Sequence, residues 1–412
     1  MLLFPMFLVI LLVFVNRYVF GLFLKITKGG RFDAKVRDHE PTVAVVTPMF
    51  NEGRGIARTI ESVMALDYPR DKLEMVIVDD CSTDDSHEIA WRAAQRYPRN
   101  VRVLRNRHNS GKRKSINHAV RLVDAEIIVS IDSDVQVDRL ALRHLVARFD
   151  CPAVVAVGGR VHVSNANENW LTRMQAVKYF FGYEFLKNIE RAFHSVMCLS
   201  GCLTAYRRSV LVELELILEN RGVLGVPIKY GEDRFLTRQI VKHGYRTRST
   251  LDAVCYTVAP NTISKYFSQQ LRWRRSNLID FFCGISHAWR LHPLVCVHYL
   301  SLGVLLIGYP AVVFEELVSG NFFELAWFNL TVLAAAATVY GYVSRGVPGD
   351  YRVHPVWFLA MAVLMPVTYV LFTPLALFTL DSSSWETRGT PAPSGASGAS
   401  LTALPGAEPS GI

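Results

Sequence analysis

Two aspartates that are two residues apart directly follow a short apolar run. In the stretch EIIVSIDSDVQVD (126–138), the run 127–131 is typical of a buried strand, and Asp132 and Asp134 stand at its carboxyl end. An Asp-Ser-Asp sequence can form a turn or a helix cap, because Asp and Ser side chains bond to nearby backbone amides. Alternatively, the two carboxylates bind Mg²⁺ or Mn²⁺, which share their ligands with a substrate diphosphate.

The elements around these aspartates alternate between strands and helices. The pattern of apolar residues predicts, in chain order, strand 43–47, helix 56–66, strand 75–78, a helix within 81–97, strand 101–104, helix 115–123 and strand 127–131. This alternation is typical of a parallel sheet. Ligands of such sheets bind at the carboxyl ends of the strands, so the position of Asp132 and Asp134 favours a ligand site over a turn.

Other polar groups also follow strands of this sheet. PMFNE (48–52) follows the first strand, and Asp79 and Asp80 end the second. Lys112, in HNSGKRKSIN (108–117), precedes a predicted helix; it is either part of a solvated basic surface or a contact for a diphosphate. The sequence contains neither GxGxxG nor a Walker A loop, so the common dinucleotide and P-loop sites lack their motifs.

The composition divides the chain into globular and membrane-like parts. Of its 412 residues, 50% are hydrophobic and 20% are charged, but 1–15, 293–314, 325–343 and 355–380 carry little or no charge, whereas 25–280 is ordinary globular sequence. The net charge is +9, and the basic residues cluster near the apolar segments and the predicted diphosphate site. Anionic lipid and nucleotide are therefore expected partners, rather than nucleic acid. The seven cysteines show no metal-binding spacing.

Residues 1–24 are apolar enough to anchor the chain in a membrane. As a helix they would span about 36 Å, which exceeds a hydrocarbon core of about 30 Å. A cleaved signal peptide is the alternative, but no basic segment precedes the apolar run and no clear small-residue cleavage site follows it. Five basic residues place the next segment in the cytoplasm by the positive-inside rule: Lys25, Lys28, Arg31, Lys35 and Arg37.

Three further apolar segments lie within 292–380. The linker 315–321 contains no Lys or Arg, whereas the linker 344–354 contains two arginines. Two crossings are therefore predicted, with the second returning to the cytoplasm. The last segment, 355–380, contains two prolines and either crosses or enters the membrane and bends back. Residues 389–412 are rich in Pro, Gly, Ser and Ala and are predicted to form a disordered tail.

Short motifs occur in a fixed order along the chain: PMFNE (48–52), VDD (78–80), SGKRKSIN (110–117), DSD (132–134), SGCLTAYRR (200–208), GEDRFLT (231–237), QQLRW (269–273) and SSWETR (383–388). Together they resemble the membrane-bound family 2 glycosyltransferases, and most of all the hyaluronan synthases and the rhizobial chitooligosaccharide synthases. The resemblance implies an α/β fold: a cytoplasmic GT-A domain, Rossmann-like with a mostly parallel sheet, at 40–285. This domain would be joined to interfacial α-helices and to transmembrane α-helices at 1–24 and 292–380.

The resemblance assigns most of these motifs to a UDP-sugar donor. Phe50, Glu52 and either Asp79 or Asp80 would line the nucleoside pocket; alternatively, Asp80 caps the following helix. Asp132 and Asp134 would hold Mg²⁺ or Mn²⁺ between the two phosphates. The other residues implied for the donor are Lys112, Gln269 and Arg272 at the diphosphate, and Trp385 and Arg388 in a loop, 381–388, that closes over UDP.

The remaining motifs are implied to bind and activate the acceptor. Asp233 matches the family's catalytic base, with Glu232 beside it, although Glu-Asp-Arg alone would indicate a surface helix start. Since an attacking hydroxyl must lose a proton, one base and direct displacement imply inversion at the anomeric carbon. Trp273 would stack on the acceptor sugar, or else anchor an interfacial helix.

Three positions depart from the family pattern. Phe50 stands where the family often has Tyr, so a hydroxyl contact is missing. Cys202, implied to lie beside the acceptor, stands where the hyaluronan synthases usually have Pro. Glu386 replaces the usual Gly of the loop that closes over UDP.

These residues predict a processive, inverting glycosyltransferase in the plasma membrane. It would polymerise UDP-GlcNAc, with or without UDP-GlcA, into a β-linked polysaccharide and secrete it through its own membrane helices. The alternatives are a chitin or chitooligosaccharide synthase that uses UDP-GlcNAc alone, a non-processive transferase that acts on a lipid or a short acceptor, and a carrier or sensor without turnover. The expected partners are the UDP-sugar, the growing polysaccharide and the lipid bilayer, with no obligatory protein partner evident.

Overall fold

The computed structural model describes residues 12–13, 15–28, 39–223, 225–228, 230–346 and 351–380. The predicted loop at 381–388, with Trp385 and Arg388, and the predicted tail at 389–412 lie outside the described residues, as does part of the segment 1–24.

The described residues form a large sheet and a short ribbon. The strands are β1 (Val43–Met49), β2 (Leu73–Asp79), β3 (Val101–Arg105), β4 (Ile127–Ser130), β5 (Gln136–Val137), β6 (Val154–Val163), β7 (Thr204–Arg207), β8 (Gly222–Val223), β9 (Val226–Pro227) and β10 (Arg246–Thr257). Eight of them lie in the order β3-β2-β1-β4-β7-β6-β10-β5, while β8 and β9 pair separately. The strands predicted at 43–47, 75–78, 101–104 and 127–131 are confirmed as β1 to β4.

The sheet is mixed but mostly parallel, as the sequence predicts, because six of its eight strands run in the same direction. β1 is parallel to both β2 and β4, and β2 is parallel to β3. β7 instead runs antiparallel to both β4 and β6, and β5 is antiparallel to β10. The prediction of a mostly parallel sheet is therefore confirmed, since β6 and β10 pair in parallel and run in the same direction as β1 to β4. The two exceptions are the short strand β5 and β7, which follows a long helical segment after β6.

The helices begin and end as follows: α1 (Gly21–Lys28), α2 (Gly55–Met64), α3 (Ser86–Ala94), α4 (Lys112–Leu122), α5 (Ala141–Val146), α6 (Trp170–Phe181), α7 (Asn188–Ala192), α8 (Arg208–Glu213), α9 (Glu215–Glu219), α10 (Glu232–Lys242), α11 (Ile263–Ala288), α12 (Pro293–Gly303), α13 (Tyr309–Val318), α14 (Phe322–Val343) and α15 (Ala360–Phe378). Shorter π or 3₁₀ turns occupy Val15–Phe20, Arg70–Lys72, Gly182–Leu186, Val304–Gly308, Ser344–Gly346 and Pro355–Phe358. The predicted helices at 56–66, within 81–97 and at 115–123 are confirmed as α2, α3 and α4.

Helices cover both faces of the parallel half of the sheet. Alternate residues of β1 point in opposite directions, as in any strand, so Val45 packs in a cluster with α2 while Val46 packs in another with α4. Because both faces are covered, β1 is buried along its whole length. This double cover leaves the carboxyl ends of β1, β2 and β4 as the edge that a ligand can reach.

Two helical segments are long and apolar enough to cross a membrane. Pro293–Val318 and Phe322–Val343 have mean hydropathies of 1.8 and 1.5. Their positions match the two predicted crossings at 293–314 and 322–343. The α1 helix packs against the same region, since Leu24 lies in a cluster with Ile189 and Val295.

The region from Tyr351 to Leu380, which contains the last apolar segment, contacts the sheet domain at both ends. At its start, the ring of Tyr351 lies 4.4 Å from that of Tyr256 in β10. At its end, the Tyr230 hydroxyl donates to the Leu380 carbonyl at 2.8 Å. α15 lies between these points, with Pro366 and Pro374 inside it. Whether 355–380 crosses the membrane or bends back stays a prediction.

Candidate active site

The two aspartates of the DSD motif face the same cleft. Asp132 and Asp134 are partly exposed, whereas the residues on either side of each, such as Ser133, are buried. The turn is fixed from α2, because the Thr59 hydroxyl donates to the Ser133 carbonyl at 2.8 Å. The Ser133 hydroxyl in turn donates to the carboxylate of Glu52 at 2.9 Å. PMFNE and DSD therefore form one rigid rim of the cleft.

Asp79 and Asp80 are completely buried, and their carboxylates accept hydrogen bonds from loop residues. Asp79 accepts from the Ser82 amide at 2.9 Å and lies 3.2 Å from Nε of Arg105. Asp80 accepts from the amides of Ser110 and Gly111, at 2.9 and 2.7 Å, and from the Asn106 side chain. Asp80 thus fixes the loop that leads to Lys112. A direct contact of either aspartate with a nucleoside stays a prediction.

Lys112 connects the DSD turn to the start of α10. Its ammonium lies 2.6 Å from Asp132 Oδ1 and 2.7 Å from Glu232 Oε1. Burial opposes the charge of Lys112, but the two carboxylates outweigh it and hold the pKa of Lys112 well above its ordinary value. Burial likewise opposes ionisation of Glu232, but Lys112 outweighs it and lowers the pKa of Glu232. Both groups are therefore charged at neutral pH.

Asp233 has the opposite electrostatic environment from its neighbour. Burial, reinforced by the negative charge of Glu232, raises the pKa of Asp233 above its ordinary value. Its carboxylate accepts from the Arg234 amide at 2.8 Å and from the Gly201 amide at 3.3 Å. A side chain at Gly201 would begin 3.0 Å from the Lys112 ammonium, so only a glycine leaves this approach open. Two adjacent carboxylates with opposite pKa shifts are typical of an acid–base site.

The QQLRW motif lies on α11 and meets the DSD turn through Tyr179. The ring of Tyr179 lies 6.0 Å from that of Trp273, and its hydroxyl bonds with the side chain of Gln269. Burial raises the pKa of Tyr179, and Asp134 and Arg272 are both close enough to act on it. Tyr179 lies outside all of the sequence motifs, and no spacing in the sequence points to it.

Cys202 and Arg272 complete this wall of the cleft. Burial raises the pKa of the Cys202 thiol well above its usual range, and Asp132 and Asp134 add to the shift. Arg272 is close enough to Glu232 to help lower the pKa of that carboxyl. The cleft therefore brings together these predicted residues: Glu52, Lys112, Asp132, Asp134, Cys202, Glu232, Asp233, Gln269, Arg272 and Trp273. Phe50 ends the same rim, directly after β1.

A small cavity lies next to the two α10 carboxylates. Lys112, Glu232 and Asp233 border one end, and apolar residues such as Ile128 and Leu236 line the rest. Its volume is about 40 Å³, which has room for only a few water molecules. This cavity is too small for the UDP-sugar that the resemblance implies.

The donor atoms of the DSD turn fit a divalent cation that is shared with a substrate. Within the described residues, no group of three or more His, Cys, Asp or Glu side chains forms a complete metal site. Mg²⁺ and Mn²⁺ do not require one, since hard cations in such sites take one or two carboxylates and complete their shell with phosphate oxygens and water. Asp132 and Asp134 can supply those carboxylates.

Comparison with known proteins identifies the family. The family model "Glycosyl transferase family 2" matches residues 44–215. An N-acetylglucosaminyltransferase of Bradyrhizobium diazoefficiens is 32% identical over 362 residues, which cover 84% of this chain and 72% of the relative. An N-acetylglucosaminyltransferase of Rhizobium meliloti is 30% identical, covering 84% and 82%. A hyaluronan synthase of Streptococcus pyogenes is 27% identical over 408 residues, covering 93% and 95%.

A solved structure shows the same fold. The mannosyltransferase PcManGT of Pyrobaculum calidifontis, solved with GDP-Man and Mn²⁺, superimposes with a TM-score of 0.55 at 21% identity, over 90% of this chain and 96% of that one. The mixed sheet with its helices on both faces is thus GT-A-like. With the family model and the two rhizobial relatives, this chain belongs to glycosyl transferase family 2.

Proposed function

We propose that this glycosyltransferase uses UDP-GlcNAc and a divalent cation to extend a β-linked saccharide with inversion. The observation that carries the proposal is the opposite electrostatic environment of Glu232 and Asp233 in the cleft. Lys112 keeps Glu232 ionised, whereas burial and Glu232 raise the pKa of Asp233. A carboxylate with a raised pKa is a better proton acceptor at neutral pH.

Asp233 would remove the proton of the acceptor hydroxyl as that hydroxyl attacks the anomeric carbon. Its two backbone donors, the amides of Gly201 and Arg234, fix the carboxylate while leaving it lone pairs for a substrate. A single base and direct displacement give inversion. An α-linked donor then yields a β-linked product.

Lys112 and Arg272 would stabilise the departing diphosphate. Asp132 and Asp134 would hold Mg²⁺ or Mn²⁺, which neutralises charge on the phosphate oxygens as the sugar bond breaks. Lys112 is already charged and lies 2.6 Å from Asp132, so it stands next to the expected diphosphate position. Gln269 would orient the same group from α11. Phe50 and Glu52 would form the nucleoside end of the site.

Trp273 and Tyr179 would form the platform for the acceptor sugar. Their rings are tilted by 50° to each other and lie on the same wall as Cys202. Aromatic faces bind the apolar face of a sugar ring without fixing its hydroxyls, which suits a chain that must advance after each transfer. The apolar helices α12 to α14 lie next to α11 in the sequence. We propose that they hold the enzyme in the plasma membrane as a multi-pass protein and pass the product outward.

A hyaluronan-type copolymer is the second candidate. It is favoured by the length of the match to the streptococcal hyaluronan synthase, which extends over 93% of this chain, whereas the rhizobial relatives match 84%. In that case UDP-GlcA would alternate with UDP-GlcNAc as the donor. The rhizobial relatives are the more similar in sequence, and for that reason UDP-GlcNAc alone is proposed first.

Product analysis separates the candidates. The full-length protein in lipid nanodiscs receives UDP-GlcNAc, UDP-GlcA or both, with Mg²⁺ or Mn²⁺, and the product is sized and digested. We expect a chitinase-sensitive oligomer from UDP-GlcNAc alone. A hyaluronidase-sensitive polymer formed only from both donors would support the second candidate. UDP release without any glycan, or no reaction with either donor, would contradict the proposed function. The Asp233→Asn protein is the negative control.

A further inference from the structure

A buried arginine binds the backbone directly before the two α10 carboxylates. Arg221 is 3% exposed, and its Nη1 atom donates to the carbonyl of Tyr230 at 2.5 Å and to that of Gly231 at 2.7 Å. Glu232 and Asp233 follow these carbonyls. The guanidinium therefore fixes the path by which the chain enters α10, and with it the direction in which the Asp233 side chain leaves the backbone.

On its other side, the loop that leads into α10 is restricted by α11. Gly231 has a φ of +66°, which favours glycine, and a Cβ at this position would lie 2.0 Å from the Ser276 hydroxyl. The loop carbonyls are thus bound by Arg221 on one side, while α11 packs against the loop on the other. The start of α10 has little freedom to shift unless one of these contacts breaks.

A buried carboxylate on α11 connects Arg221 to a second arginine. Asp280 lies 3.8 Å from Nη2 of Arg221 and 3.2 Å from Nε of Arg238, and it also accepts from Ser276 at 3.3 Å. Both arginines pack over the ring of Phe235. The two arginines share Asp280 and Phe235, and Arg221 in addition donates to the carbonyls before Glu232.

The network extends to a helix of the membrane region. Tyr299 of α12 donates its hydroxyl to the carbonyls of Asp280 and Phe281, at 2.7 and 2.9 Å. The backbone of Gly284 approaches so closely that a Cβ there would lie 1.9 Å from this hydroxyl. A continuous series of buried hydrogen bonds and one ion pair therefore runs from α12 through α11 to the start of α10.

We propose that Arg221, held by Asp280, is a positioning residue for the base Asp233, and that through it the place of the base depends on how α11 docks against α12. This inference rests on the proposed function, in which Asp233 removes the acceptor proton. The two arginines are not equivalent in this respect. Loss of Arg221 frees the entry to α10, whereas loss of Arg238 removes a similar buried charge without releasing the loop carbonyls. Displacement of a catalytic group by about 1 Å can cost about 10²-fold in rate.

The test compares Arg221→Met with the matched control Arg238→Met in the full-length protein in nanodiscs. Transfer of GlcNAc, the donor KM, UDP affinity and the thermal midpoint are measured for both and for the wild type. We expect both variants to lose similar thermal stability and to bind UDP as the wild type does. Arg221→Met should lose at least tenfold in kcat with a donor KM within about twofold, while Arg238→Met keeps kcat within about threefold.

The other possible results also decide whether Arg221 positions Asp233. Equal losses of kcat in the two variants would show a purely structural role and overturn the proposal, as would full activity of Arg221→Met. If Arg221→Met does not fold, the test compares Arg221→Lys with Arg238→Lys. Lysine keeps the charge but lacks the planar guanidinium that bonds to two carbonyls. We therefore expect kcat to fall in Arg221→Lys and not in Arg238→Lys. If the wild-type protein transfers no GlcNAc, the proposed function itself is refuted, whatever the two variants do.

Discussion

The two sides of the cleft are held by contacts of different range. The proposed donor side comprises Asp79, Asp80, Lys112, Asp132 and Asp134, and its carboxylates lie at the ends of β2 and β4, two parallel strands on either side of β1. The loop bonds of Asp80 join residues about 30 positions apart in the chain. Asp79 and Asp80 accept from backbone amides, and Asp132 and Asp134 directly follow β4, so the sheet and its loops hold the donor side in place.

The opposite side, called the helical side, comprises Glu232, Asp233, α11 and the end of α15, and it depends on contacts between distant segments. Tyr230 and Leu380 are 150 residues apart, and Arg275 donates to Thr379 at 3.0 Å across 104 residues. Its geometry is thus set by how α11 and α15 dock against each other and against the sheet domain. The difference teaches that donor binding and catalysis should be separable by mutation, since a loosened helix can misplace Asp233 while the donor side stays formed.

Replacement of the base should have the largest effect. Asp233→Asn removes the proton acceptor and keeps one of the two backbone hydrogen bonds, since its amide has a single acceptor oxygen, so we expect kcat to fall by about 10³-fold. UDP affinity, measured by calorimetry, should stay within a few-fold, because the donor side is untouched. Asp150→Asn, which changes a carboxylate paired with Arg248 at 2.8 Å far from the cleft, is the matched control. A kcat within tenfold of wild type would remove Asp233 from its assigned role.

Replacement of a donor-side carboxylate should lower activity nearly as much, but by weakening the binding of the cation. Asp134→Asn removes one of two proposed cation ligands, so we expect at least about 10²-fold loss of activity and a higher Mn²⁺ concentration for half-maximal rate. Chelation of the wild type by EDTA should abolish transfer, and added Mn²⁺ should restore it. Asp138→Asn, four residues along the same segment, should behave as wild type. Unchanged metal dependence of Asp134→Asn would argue against the cation site.

The donor side could be predicted from the sequence because its signals are local. An apolar run followed by Asp132 and Asp134 identifies both a strand and the residues at its exposed end. The sequence could not show that Lys112 joins Asp132 to Glu232, because the two acids are a hundred residues apart and no pattern encodes their distance. Arg221 and Tyr179 were missed for the same reason: buried polar groups in helices and loops have no periodic signature. The direction of β7 was likewise invisible, since it depends on the path of a helical excursion.

The pH dependence tests whether the two α10 carboxylates influence each other. The base must be deprotonated, and burial together with Glu232 raises the pKa of Asp233, so kcat/KM should fall as the pH drops through that raised value. Glu232→Gln removes the negative neighbour and leaves Lys112 positive, which lowers the pKa of Asp233. The acid limb of the pH profile of kcat/KM should therefore move to lower pH. Because the base is then weaker, we expect kcat to fall by less than about tenfold. Glu213→Gln, a carboxylate that accepts from Tyr245, should leave the limb in place. A limb that moves to higher pH in Glu232→Gln would contradict the assignment.

The smallest expected effect tests whether the docking of the end of α15 contributes to donor binding. Tyr230→Phe removes the hydroxyl that donates to the Leu380 carbonyl and leaves the ring in its apolar cluster with Ile228 and Ile279. A lost hydrogen bond of this kind is worth about 1 kcal/mol, which corresponds to about fivefold in an equilibrium constant. Because the loop predicted to close over the donor follows directly at 381–388, we expect the donor KM to rise by about that factor, with little change in kcat. Tyr342→Phe, on the exposed face of α14, is the control. If both variants show the same donor KM, the docking of Leu380 has no part in donor binding.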